Sequence, residues 1–145
     1  MEDTIINNTA GNVTRNASNP FMDMMKTAFE KVQNPAHPKE IDVLHLSEKI
    51  KAGNAKILDV RTPGEYAQGH LEDSVLLPLQ ELSYYGPAAE TKIPFSKDDE
   101  IFIICRSGAR SAAAANILSS LGYSNAVNVS GGIISWIQRG LQITN

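Results

Sequence analysis

The sequence predicts an α/β domain on a mostly parallel sheet, and three observations carry that reading. Short apolar runs recur at Ile57-Leu58, Val75-Leu76-Leu77, Ile101-Phe102-Ile103-Ile104 and Ala126 to Val129, without regular polar alternation. Runs of this kind belong to strands covered on both faces. Between them lie segments of helical spacing punctuated by glycine and proline, and strands alternating with helices point to parallel pairing through crossovers. The only cysteine, Cys105, stands at the carboxyl end of one run, at the sheet edge where ligand sites of such folds gather.

Length and composition narrow the classes. With 145 residues the chain can form one domain with a sizeable core, plus some tail. Hydrophobic residues at 42% and charged residues at 20% make an ordinary soluble balance, and a net charge of -3 gives no reason to expect nucleic acid. One cysteine excludes an internal disulfide and a multi-cysteine metal site, and it fits a reducing compartment. No apolar run approaches the roughly 18 residues that a membrane span needs. The N-terminus lacks the basic start and apolar stretch of a secretory signal. The expectation is a cytoplasmic protein without membrane attachment, metal or cofactor. Asn7, Asn12 and Asn16 head N-glycosylation patterns, read without a signal as by-products of an Asn/Thr-rich tail.

Taken in order, residues 1–19 are polar and asparagine-rich, which predicts a flexible arm. A helix follows, with Asn19 as cap and Pro20 in the first turn. Phe21, Met25, Ala28, Phe29 and Val32 share one face. That stripe is expected to pack on the domain or to pair two copies as a homodimer; a partner helix or peptide is the alternative. Arm and helix together make residues 1–38, with His37 between prolines and idle, and the compact domain makes 39–145. Ile41-Asp42-Val43 reads as a short strand and Leu46 to Lys51 as a short helix stopped by Gly53-Asn54. Lys56 to Arg61 is a buried strand, followed by a helix start at Thr62-Pro63-Gly64-Glu65, with Thr62 as cap. Ser74 to Leu77 is a strand stopped by Pro78, Leu79 to Tyr84 one or two helical turns, and Tyr85 to Lys97 irregular. Ile101–Ile104 is the central strand. Ser111 to Leu121 is a helix, Ala126–Val129 the last strand, and Gly131-Gly132 opens a helix ended by Gly140.

The chemistry concentrates at Cys105-Arg106-Ser107-Gly108-Ala109-Arg110-Ser111. A thiol between a strand and a helix start meets unpaired N–H groups and the positive end of a helix dipole. Loop amides can curl into an anion nest, with Gly108 relieving strained φ. Arg106 and Arg110 add positive charge. Together these predict a lowered thiol pKa and a nucleophile at neutral pH, exposed enough to be oxidised or persulfidated. An inert core cysteine would not call for two arginines and a glycine in the next five positions.

Three blocks resemble the rhodanese-like family. Leu58-Asp59-Val60-Arg61-Thr62-Pro63-Gly64-Glu65-Tyr66, with Gly69-His70-Leu71 and Val75 to Pro78, is similar to its first signature. Cys105 to Ser111 resembles its active-site loop. Gly122-Tyr123, Val129 to Gly132, Trp136 and Gly140 resemble its closing signature. The blocks cover roughly Ile41 to Ile143 in the family's order. Asp73 departs from the pattern, standing in a turn where the family usually has a small residue, often glycine.

The resemblance implies a three-layer α/β domain with a central parallel sheet of about five strands flanked by helices. It also implies a thiosulfate sulfurtransferase in which Cys105 carries the sulfur as a persulfide. The amides of Ser107, Gly108 and Ala109 would cradle it, and Arg106 and Arg110 would hold a small anionic donor. Arg61 could also reach the donor, and with Asp59 would form the floor; an ion pair between them is the structural alternative. Glu65 and Ser111 support the loop, and His70 reads as structural. A thiol, cyanide or small redox protein would accept the sulfur. Two alternatives stand: a non-catalytic rhodanese-like binding or regulatory module, and a cysteine-dependent phosphatase or arsenate reductase. The second is disfavoured by the loop, since Cys105 and Arg110 are separated by one residue fewer than those enzymes use.

Overall fold

The computed structural model describes residues 20–23 and 38–145. The chain divides into two compact units, Met1–Ala36 and His37–Asn145. In the first, residues 20–23 are helical. The arm before them, the cap Asn19, and the rest of the predicted stripe (Met25, Ala28, Phe29, Val32) lie outside the described residues, as does His37.

The second unit holds a five-stranded parallel sheet: β1 (Lys39–Ile41), β2 (Lys56–Asp59), β3 (Val75–Leu76), β4 (Ile101–Ile104) and β5 (Ala126–Val129), in the spatial order β1-β5-β4-β2-β3. Its helices are α1 (Val43–Ala52), α2 (Pro63–Ala67), α3 (Leu79–Tyr85), α4 (Ala109–Ser120) and α5 (Gly132–Gln138). A 3-10 helix spans Gly86–Lys92, within the stretch expected to be irregular. The predicted three-layer α/β arrangement with about five strands is the one found.

The layers follow from alternation along the strands, whose successive side chains point to opposite faces. Leu58, Ile101 and Ile103 pack on one face with Leu82 of α3 and Ala114, Ala115 and Leu118 of α4. Ile57, Phe102, Ile104 and Val127 pack on the other with Val43 and Leu46 of α1 and Ile133 and Trp136 of α5. Every residue of β4 and β5 is buried, as apolar runs without alternation require. The alanines of α4 bring its backbone close to the sheet while keeping high helix propensity.

The first element differs from the sequence reading. The strand is Lys39–Ile41, and Asp42 caps α1 by accepting the His45 N–H at 2.8 Å. Val43 is therefore helical, and Ile41-Asp42-Val43 is a strand end, a cap and a helix start.

The chain leaves β2 toward β3 on one side and leaves β4 toward β5 on the other. The carboxyl ends of β2 and β4 thus flank the point where the connections diverge, the position of ligand crevices in open parallel sheets. Asp59 pairs in register with Ile104, so Cys105 emerges one step beyond that pair.

Candidate active site

Cys105 continues β4 and is 1% exposed. Its Sγ accepts the Gly108 N–H at 3.1 Å and lies 3.2 Å from Oγ of Ser111, which is itself fully buried in the first turn of α4. Gly108 precedes α4 with φ of 111°, a left-handed conformation that curls the loop back over the sulfur. Burial pushes the thiol pKa up. Hydrogen bonds from the Ser111 hydroxyl and from the N–H groups of Ser111, Gly108 and Ser107 outweigh it, so the thiol lies below its ordinary value.

Two expectations change here. The thiol is not exposed on the surface; it sits at the bottom of its own loop. Its acidity is carried by hydrogen bonds aimed at the sulfur, with the Arg110 charge offset by a carboxylate.

That carboxylate is Glu65. Arg110 donates to its two oxygens at 2.7 and 2.9 Å. Glu65 Oε1 also accepts the Thr62 N–H at 3.0 Å, and Thr62 Oγ1 accepts the Glu65 N–H, the reciprocal capping box predicted for this helix start. The Arg110 pair, opposed by burial and helped by Thr62, holds the Glu65 pKa at about 2. One carboxylate therefore closes the N-terminus of α2 and clamps the arginine of the cysteine loop.

Asp59 and Arg61 form the ion pair that was the structural alternative. Both are buried, with Arg61 Nη2 2.8 Å from Asp59 Oδ2 and Nε bonded to both oxygens. The remaining Arg61 donors reach the carbonyls of Gly69 at 2.8 Å and Glu65 at 3.3 Å. Its guanidinium is thus held in the floor, and Arg61 also lines the cleft beside the loop. Arg106 contrasts with it. Arg106 is exposed and, among the described residues, makes no side-chain hydrogen bond or ion pair. Ser107 and Ala109 are exposed at the rim of the loop.

His70 is structural. Its ring stacks on Tyr66 with centroids 3.7 Å apart, and Nδ1 lies 2.8 Å from the Tyr66 carbonyl, which can only accept. Nδ1 therefore carries the proton.

A contribution that sequence reasoning missed comes from α5. Its first N–H groups bond the back of the cysteine loop, from Ile133 to the Cys105 carbonyl at 2.9 Å and from Ile134 to the Arg106 carbonyl at 3.1 Å. Gly132 makes this approach feasible. A Cβ there would collide with the Arg106 carbonyl and stand 2.6 Å from the Cys105 carbonyl oxygen, at a φ of 58°. The glycine pair in the sequence was the available signal, but its partner was 26 residues away.

A cleft of about 250 Å3 adjoins the loop, with Arg106, Glu65, Ile134 and Ile137 in its walls. A larger depression of about 440 Å3 lies at the opposite, amino-terminal end of β2, around Lys56, Glu72 and Asp73, away from the thiol. The arrangement beside Cys105 suits a nucleophilic thiolate that receives an anionic group under a rim cation.

The family model of the rhodanese-like domain matches residues 42–139. A sulfurtransferase of Allochromatium vinosum is 40% identical over 105 residues, covering 72% of this chain and 92% of its own. The crystal structure of a rhodanese-related protein from Thermoplasma volcanium is 40% identical and superposes with a TM-score of 0.62, covering 73% of this chain and 97% of its own. A human single-domain sulfurtransferase is 27% identical with a TM-score of 0.60, covering 69% and 96%.

Proposed function

Since this chain belongs to the rhodanese-like domain family, we propose that it is a sulfurtransferase that carries sulfane sulfur from thiosulfate, or a similar small anionic donor, on Cys105. The observation that supports this most is the cradle at the sulfur: the Gly108 N–H at 3.1 Å and the Ser111 hydroxyl at 3.2 Å. Thiolate is the form they favour, because both then donate to it.

In the first half-reaction the Cys105 thiolate attacks the outer sulfur of thiosulfate. The S–S bond of the donor breaks, sulfite leaves with its electron pair, and a Cys105 persulfide remains. Arg106, exposed and without an ionic partner among the described residues, meets the sulfonate end and the charge growing on sulfite. Arg110, neutralised by Glu65, shapes the loop and is the lesser donor contact. In the second half-reaction an acceptor attacks the outer sulfur of the persulfide and Cys105 leaves as thiolate, which the same donors stabilise. The chemistry is covalent and two-step.

The supporting experiment is steady-state sulfur transfer from thiosulfate to cyanide, read as thiocyanate. Parallel double-reciprocal lines for the wild type and no turnover for Cys105→Ser are expected. A folded wild type without turnover, its thiol reduced, would favour a binding module or another donor.

A further inference from the structure

The cysteine loop depends on how closely α5 stands behind it. A Cβ at Gly132 would collide with the carbonyls of Cys105 and Arg106, so no slack remains between the two backbones. Close-packed groups transmit small displacements, and a shift of α5 is therefore a shift of the loop.

The far end of α5 is held by the C-terminal segment, residues 141–144. The Leu141 N–H donates to the Trp136 carbonyl at 3.2 Å, and the Trp136 indole N–H donates to the Gln142 carbonyl at 3.0 Å. The segment then reaches the turn after α2. There His70 and Thr144 exchange N–H to carbonyl hydrogen bonds at 2.8 Å in both directions. Ile143 lies against Gly69, where a Cβ would stand 2.6 Å from its Cδ1.

The contact at Thr144 leads to a buried charge. The Gly69 carbonyl and the His70 N–H belong to one planar peptide unit and point in opposite directions. The N–H donates to Thr144 and the carbonyl accepts from Arg61 Nη2, each at 2.8 Å. Each bond polarises the unit in favour of the other. Arg61 is fixed in turn by Asp59 and is 4% exposed. Residues 141–144 therefore run from the buried indole of α5 to the floor at the end of β2.

We propose that this segment is a positioning strap for the thiol cradle, with Ile143 and Thr144 as its positioning residues. The strap sets α5 against the Asp59–Arg61 floor. α5 in turn holds the carbonyls of Cys105 and Arg106, and so keeps the Gly108 N–H and the Ser111 hydroxyl aimed at the sulfur. Neither positioning residue hydrogen-bonds the sulfur; both act through the Gly69–His70 peptide and α5.

The test reads the acidity of Cys105, which a part in stability alone would leave unchanged. The full chain is alkylated with iodoacetamide across pH, below its melting range, and followed by intact mass. The variants are Ile143→Ala, Ile143→Val and Thr144→Pro, the last removing the N–H given to His70. Ile93→Ala is the control, a core truncation in the opposite layer. In Ile143→Ala and in Thr144→Pro the midpoint should rise by about 0.5 pH unit, the scale of one weakened hydrogen bond at the sulfur. Ile143→Val should recover more than half of that rise, and Ile93→Ala should leave the midpoint in place. A midpoint unmoved in Ile143→Ala or in Thr144→Pro, or moved as far by the control, overturns the proposal. Alkylation needs no sulfur transfer. Failure to load Cys105 from thiosulfate would thus remove the donor reading and leave this test intact.

Discussion

At the scale of single residues the thiol's acidity rests on few groups, and each has a measurable share. Ser111 is fully buried and directs its hydroxyl at the sulfur. Ser111→Ala removes a hydrogen bond to a charged group and leaves the burial penalty in place. The midpoint of Cys105 alkylation against pH should move up, and the rate at neutral pH should fall about three- to tenfold. Glu65 gives a second prediction, with a sign that differs from a thiol effect. Its folded pKa of about 2 lies below the ordinary 4.5, so its stabilisation is complete above the unfolded pKa. It is lost as pH falls from about 4.5 through about 2. Because the pair is partly solvated, its contribution at neutral pH is about 2 kcal/mol. Glu65→Gln should lower the Tm at pH 7 and remove most of the difference from wild type in acid. Cys105 and its loop were readable from residue types alone. The Asp59–Arg61 ion pair was one of two readings the sequence allowed. The carbonyls of Gly69 and Glu65 that also hold Arg61 were not legible, because they converge on it only once the chain is folded.

At the scale of elements, strands β4 and β5 were legible to the residue, since each is an apolar run whose side chains are all buried. The first strand was misplaced because Asp42 lies between two β-branched residues, and the cap it forms depends on the His45 N–H. The sharpest prediction here concerns the junction of α5 with the cysteine loop. Gly132→Ala places a methyl group against the carbonyls of Cys105 and Arg106 at a positive φ. It should destabilise the domain by about 3 kcal/mol or more, and in any folded fraction sulfur loading should drop because the loop moves. The departure at Asp73 has a local cause: its φ is 65°, in the region glycine occupies without strain. Asp73→Gly should therefore raise the stability by about 0.5 kcal/mol in denaturant melts, without changing sulfur transfer.

On the scale of the whole molecule, both core clusters and every candidate site residue belong to the unit His37–Asn145. A chain starting at His37 should keep cooperative melting and load sulfur within twofold of the full chain; loss of either would assign the preceding segment a part in the domain. No helix among the described residues is long and apolar enough to cross a membrane. The layered fold was legible because alternation of apolar runs and helical segments is a local pattern. The aliphatic wall was not, since Ile134, Ile137 and Ile143 come to line one cleft with Arg106 only through the crossover after β5 and the return of the C-terminal segment to His70.

The central claim is that Cys105 carries sulfur, and intact mass after brief exposure to thiosulfate tests it most directly. The wild type should gain one sulfur atom, which cyanide removes as thiocyanate, and Cys105→Ser should gain none. A folded, reduced wild type of unchanged mass, or an equal gain on Cys105→Ser, would contradict it.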